Sequence, residues 1–566
     1  MKKNRIRVRR ALKRTTRLAG GSATLLLSTA ALAGGATLLY SGLEMPESLV
    51  AKWLVRPLAV TGLITVGDSG GLPTSVGSTT TVVKPATEDE APSIPPAKLG
   101  VNLMYPKYWN PVRPFTNLLH VGAWGVQGTT DSVNSFFDAS GRISRYEPGV
   151  LLYKLVSTPA AVYAGKSVDI ICRWDGKATV RINQGAAARN VIARARELRF
   201  TYMPGASYQP QLRITNVDLA DPVHNIDCRE TNARQDQFFD PDYVAYLKHF
   251  SVLRFMVWQQ INDNKSVTWD TRSRMVDKDM LRTTDGIPIE VMIDLANAAE
   301  SDPWFCIPWN ADDDYIRRFA ELVRDRLAPD HKVYVELSNE VWNWAFPVTH
   351  QSGREGLAAD LSTNEGYAVL YRLAEKHAHV MDIWSAAFAG QEDRLVRVLA
   401  NQAAGPSNMD RMMAFRDTAS KVDAIAMAPY FDYNINGKSI DPNDLSPVFA
   451  ELRDVIDNKL ISRIARARKT GALYGKRVIT YEAGQHVTGS DRALLAAINN
   501  DPRMGELYKY YLQTWQRDAG DLMMLFGDVY KTSKDGSWGL VEHAGQLPGG
   551  TPKSAAVMTF RASISK

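Results

Sequence analysis

The chain has 566 residues, 45% hydrophobic and 23% charged, an ordinary globular balance with room for a large core and more than one domain. Its formal charge of +6 is concentrated at one end. Residues 1–18 hold nine basic residues and no acid, and subtracting those nine leaves −3 over residues 19–566. The remainder is therefore not basic and gives no reason to expect nucleic acid.

Residues 18–43 carry no charge across 26 positions, enough to span a bilayer. They also fit a signal sequence, with "ALAGG" at 31–35 as a small-residue cleavage site. Membrane anchor and cleaved signal both remain open. Either one places the basic end in the cytoplasm and the rest outside it, in the periplasm or beyond. Residues 1–45 thus form the targeting end, and 46–97 a linker whose second part is rich in Gly, Ser, Thr and Pro.

From Lys98 the pattern becomes that of a folded domain. "KLGVNLMYP" reads as a short apolar strand, giving a segment 98–124. Residues 125–235 carry short alternating runs separated by turn residues, such as "KATVRINQG" and "QPQLRITNVD", the mark of a small all-β unit. Cys172 and Cys228 fall within it and could pair in an exported protein, or be two separate buried thiols.

From 236 to 566 strands alternate with helices. The strand runs are "VLRFMVWQQIND", "IPIEVMIDLAN", "KVYVELSNE", "RLVRVLANQ", "VDAIAMAPYF", "KRVITYEAGQ" and "DLMMLFGDVY". With "KLGVNLMYP" they make eight. Repeated β-α units favour a parallel sheet, and eight of them favour a (β/α)8 TIM barrel with the β unit inserted after the first strand. No Gly-rich phosphate loop stands at a strand–helix junction, which argues against a nucleotide-binding sheet.

The chemistry of such a barrel sits at the C-terminal strand ends. Those ends carry Asn102 and Tyr105, then Arg254, Trp258 and Asn262, then Asp294 and Asn297, then Asn339 and Glu340. Asn401, Tyr430, Glu482 and Phe526 or Asp528 complete the circle. Glu340 and Glu482 each follow a β-rich run directly, on the fourth and seventh strands, on opposite sides of the mouth. Two carboxyls facing across a cleft are what glycoside hydrolysis requires. Either glutamate alone would read as a salt-bridged rim residue. The thirteen Trp and twenty-two Tyr supply flat apolar faces that suit sugar rings, although most such rings serve packing.

"ELSNEVWN" and "TYEAGQ" resemble the cellulase-like retaining glycoside hydrolases of clan A. The resemblance implies a (β/α)8 fold, Glu340 as acid/base and Glu482 as nucleophile. It further implies that Asn339 touches the sugar 2-hydroxyl, that Arg254 keeps Glu482 ionised, and that Tyr430 contacts Glu482. Trp538 in "GSWGL" resembles the tryptophan that floors the sugar subsite. A narrower likeness, carried by "GVNLMYPKYWNPVRPF", "DPWFCIPWNADDDYIRRFA" and "YVELSNEVWN", is to bacterial proteins labelled cellulose-binding. No His near the third strand matches the one many cellulases carry.

Trp309, Trp342 and Trp344 follow strand ends and are candidate sugar platforms, with packing under the rim as the alternative for each. Asp312, Asp313 and Asp314 read as a helix start rather than a cation site. Cysteine and histidine spacings indicate no metal site, and no cofactor is implied. The leading expectation is an exported glycosidase. The competing class is a carbohydrate-binding protein whose carboxylates bind without cleaving.

Overall fold

The computed structural model describes residues 94–107, 110–183, 188–205, 209–275, 285–533 and 536–564. The basic end, the uncharged stretch and the linker as far as residue 93 lie outside the described residues. Among the described residues no helix is long and apolar enough to cross a membrane.

Eight short strands run parallel around a barrel: β1 (Lys98–Asn102), β2 (Val252–Arg254), β3 (Asp302–Ile307), β4 (Val333–Leu337), β5 (Leu395–Ala400), β6 (Ala424–Met427), β7 (Arg477–Thr480) and β8 (Leu522–Phe526). From β1 to β7 each pairs with its sequence neighbour, and β8 pairs with β1. Between β7 and β8 the Thr480 hydroxyl accepts from the Met524 amide at 2.7 Å, and the Ala483 carbonyl from the Phe526 amide at 2.9 Å. The strands are short and almost wholly apolar because both faces are buried. Alternate residues serve two layers. Trp304, Cys306, Tyr334, Val396, Val398, Ile479 and Met524 fill the interior. Phe305, Ile307, Val333, Val335, Leu337 and Leu399 pack outward under the helices. Gly100 has no alternative in β1: a Cβ there would overlap the Met524 thioether and come within 2.9 Å of the Val252 carbonyl.

The third strand corrects the sequence expectation. "IPIEVMIDLAN" is the helix Ile289–Ala299, and β3 is the following "DPWFCI". Glu290, Asp294 and Asn297 recur at helical spacing on one face, and that period prevails over the apolar content of the run. Asp294 and Asn297 therefore sit on the helix that precedes β3, not at a C-terminal strand end. Asp294 pairs with Arg326 at 2.7 Å, and Asn297 donates to the Arg326 carbonyl at 3.0 Å. Asp312 caps the next helix, Asp313–Arg326, by accepting from the Tyr315 amide at 2.7 Å.

Between β1 and β2 lies the all-β unit. One antiparallel sheet runs Trp124–Gln127, Leu151–Leu155, Gln211–Thr215, Thr179–Ile182. The other runs Arg189–Arg194, Glu197–Tyr202, Val168–Asp175, His224–Glu230. Their inner faces share one core that includes Leu152, Leu212, Ile214, Ile170 and Phe200. Cys172 and Cys228 stand opposite each other on adjacent strands and are disulfide-bonded. Arg113 links the unit to the barrel, pairing with Glu230 at 2.6 Å and Asp240 at 2.8 Å.

Candidate active site

Arg254 ends β2 with its side chain in the barrel interior, fully buried. An isolated guanidinium there would be prohibitively costly, so its donors are all engaged. It donates to Glu336 from Nε at 3.2 Å and Nη2 at 2.9 Å, and to Glu482 Oε1 from Nη1 at 3.0 Å. It also donates to the Asn102 and Asn339 amide oxygens, each at 3.0 Å. The rings of Trp304 and Tyr481 lie 5.5 and 5.4 Å from it. Burial opposes its charge, yet Glu336, Cys306 and Glu482 together raise its pKa, so it stays a cation.

Glu482 follows β7 and is fully buried. Its second oxygen accepts from the Tyr430 hydroxyl at 2.9 Å. Glu340 follows β4 by three residues. Its two oxygens accept from the Tyr481 hydroxyl at 2.9 Å and the Asn343 amide at 2.8 Å. Ser338 and Glu340 both have positive φ, +58° and +45°, on either side of Asn339. Left-handed backbone at two non-glycine residues costs energy, and it turns this segment sharply out of the strand. Asn339 is held between Arg254 and the Asn262 amide oxygen, to which it donates at 3.1 Å.

Burial raises the pKa of both carboxyls. For Glu482 it does so to about 8; Arg254 opposes the rise and Glu340 reinforces it. The two carboxyls titrate as a pair. Of the two, only Glu482 accepts a charge-assisted bond from Arg254, which favours the negative charge there and the proton on Glu340. The Tyr430 and Tyr481 hydroxyls are pushed well above their ordinary range by burial beside these carboxylates, so they remain donors.

A cleft of about 300 Å³ opens onto this network, lined by Glu340, Trp342, Tyr430, Tyr481, His486 and Trp538 among others. Trp538 stacks on His486 with centroids 5.5 Å apart and an interplanar angle of 8°. The loop carrying Trp538 is anchored where Gln485 and the buried Lys553 both donate to the Ser537 carbonyl. Trp344 is exposed at the same cleft. Among the described residues no cluster of His, Cys, Asp or Glu could hold a metal ion.

Glu340, Glu482, Asn339, Arg254 and Tyr430 thus come together, with Trp538 and Trp342 on the cleft wall. Trp258 and Trp309 do not line the cleft. Trp258 is core, packed on Phe255 and donating to the Met104 carbonyl at 2.9 Å. Trp309 packs under Lys376, 4.4 Å from its ring, and donates to Glu355. A side chain just past a strand end can turn under the rim as readily as over it. Sequence reading passed over Glu336, Tyr481, Asn343 and His486. The available signal for Glu336 was parity: it shares the inward face of β4 with Tyr334, where a carboxylate requires a cation.

No protein-family model matches the chain, and no curated protein matches it. Among solved structures, the chain is similar to the alpha-L-arabinofuranosidase of Thermotoga maritima in its arabinose complex, with 15% identity and a TM-score of 0.37. That match covers 57% of this chain and 64% of the arabinofuranosidase. A Bacteroidetes-affiliated GH5 cellulase linked with a polysaccharide utilization locus matches at 14% identity and a TM-score of 0.34, over 56% of this chain and 83% of that one. The Thermobacillus composti GH10 xylanase matches at 12% identity and 0.31, over 56% and 92%. These likenesses are remote, and the chemistry of the site rests on this chain's own groups.

Proposed function

We propose that this protein hydrolyses β-glycosidic bonds of a poly- or oligosaccharide by double displacement. One observation carries the reading: Glu340 lines a cleft at the mouth of the barrel, and Glu482, the carboxyl paired with Arg254, is buried behind it and bonded to the cleft-lining Tyr430. Glu340 would protonate the glycosidic oxygen while a Glu482 oxygen attacks the anomeric carbon. The carbon–oxygen bond breaks with its electron pair going to the leaving hydroxyl. An ester to Glu482 results, and the charge on Glu482 is gone. Glu340, now a carboxylate, takes a proton from water, and that water displaces Glu482. Asn339 keeps a second amide hydrogen for the sugar 2-hydroxyl, and Trp538 offers an aromatic face beside it.

The resemblance to clan A supports retention of configuration, which requires carboxyls about 5–5.5 Å apart. Export is part of the proposal. The basic N-terminus with its uncharged stretch supports it, as does a disulfide, a feature of oxidising compartments.

The test is hydrolysis of an activated aryl β-glycoside by folded wild type, Glu340→Gln and Glu482→Gln proteins, with product stereochemistry read by NMR. Equal rates in all three would sink the proposal. One observation favours a second reading, a carbohydrate-binding protein: Glu482 is fully buried and meets the cleft through Tyr430. Titration calorimetry alongside a reducing-sugar assay separates the two, since binding without turnover supports only the second.

A further inference from the structure

Three donors on the cleft wall have no acceptor. The Trp342 indole N–H is buried there without a partner. The Gln402 side-chain amide and the Arg463 guanidinium line the same cleft, and neither has a hydrogen-bond or ion-pair partner among the described residues. The Trp342 N–H forgoes water without gaining a protein acceptor, which is uncommon for a buried donor, while Gln402 and Arg463 are half-buried and free to take an acceptor from a ligand. Arg463 stands apart from the other arginines near it. Arg453 pairs with Asp457 at 2.8 Å, Arg466 with Asp410, and Arg468 donates to the Asp518 carbonyl at 3.3 Å.

The helix is built to bring Arg463 to this place. Leu452, Ile456, Leu460 and Ile464 are buried at a spacing of four, longer than the α-helical repeat. A π turn over Val455–Leu460 takes up the difference, joining Ser446–Asp454 to Ile461–Tyr474. Single π turns recur at functional sites. Arg463, next to Ile464, falls at the edge of the buried stripe. It is half-buried and lines both the cleft and a small pocket that shares Gln402 and Ala403 with it. The acids of the cleft do not neutralise it. Glu340 is engaged by Tyr481 and Asn343, and Asp432 is exposed and makes no ion pair with it.

We propose that Arg463, with Gln402 and Trp342, forms a subsite for the carboxylate of an acidic sugar, so that the glycan is a uronic-acid-containing one. A guanidinium matches a carboxylate with two parallel bonds, and the amide and indole donors would take further acceptors of the same residue. The substrate class rests on the hydrolase reading, but the subsite itself is tested by binding alone.

The experiment is titration calorimetry with a β-linked oligosaccharide containing glucuronic acid, and with the same oligosaccharide after its carboxyl is reduced to the alcohol. Wild type should bind the acidic form about tenfold more tightly. Arg463→Gln should erase that preference by weakening binding of the acidic form, and Arg463→Lys should restore it in part. A preference that survives Arg463→Gln, no preference in wild type, or no binding of either form would overturn the proposal. Retained preference without any hydrolysis would instead overturn the hydrolase reading and leave the subsite standing.

Discussion

At the barrel mouth, Arg254, Glu336 and Glu482 lie together with side-chain exposures of 0%, 3% and 0%. In the inserted β unit, Arg173 and Arg199 pair with Glu197 on an open sheet face, and the arginines are 41% and 45% exposed. The same residue types do different work in the two regions. Exposed pairs are screened by water and contribute about 0–1 kcal/mol each. Buried ones keep most of their electrostatic strength but carry a desolvation cost of several kcal/mol per ion. The barrel core is large enough to offset that cost, and the result is a candidate site whose charges are held in fixed orientation. The inserted unit has a smaller apolar core, stapled by Cys172–Cys228. A chain can thus place rigid electrostatics where its core is thickest and cross-link where the core is thin.

The sharpest way to break this comparison is at the carboxyls. Glu482→Gln or Glu340→Gln should lower kcat on an aryl glycoside by about 10³-fold in protein shown by circular dichroism to be folded. Next is the cation. Arg254→Met leaves Glu336 and Glu482 buried without a counter-charge and should cost about 3–5 kcal/mol in urea unfolding. Third is the staple. Cys172→Ala with Cys228→Ala should cost the inserted unit about 2–4 kcal/mol, seen as an early unfolding transition, while the barrel transition stays in place.

A fourth measurement uses pH. The folded pKa values of Glu340 and Glu482 are raised, so the folded protein holds a proton that the unfolded chain has released. Stability from this pair is complete below about pH 4.5 and declines as pH rises toward about 8. Hydrolysis should fall as pH rises far enough for Glu340, whose pKa burial raises, to lose its proton. Glu482→Gln should flatten the decline in melting temperature. The smallest effect belongs to the inserted unit: Arg199→Ala should leave the melting temperature unchanged.

The β-α alternation from 236 onward and the alternating runs of the insertion were both legible, because strand and helix leave different periods in the sequence. Glu340 and Glu482 were legible because a polar residue at the end of an apolar run is conspicuous. "IPIEVMIDLAN" misled because a buried helix and a buried strand are equally apolar, and its true period showed only in three polar positions. Trp258 and Trp309 were drawn in by sequence position, although one packs in the core and the other under the rim.

By itself the sequence determined the eight-unit barrel with its inserted β unit and the two glutamates at strand ends, since local periodicity and strand termination are written into neighbouring residues. Only the tertiary structure decided that Arg254 spans Glu336 and Glu482, that Tyr481 and Asn343 hold Glu340, and that Arg463 lines the cleft. Those contacts join residues from different strands and helices. Barrel closure brings them within hydrogen-bond distance, and no local pattern records which side chains will meet.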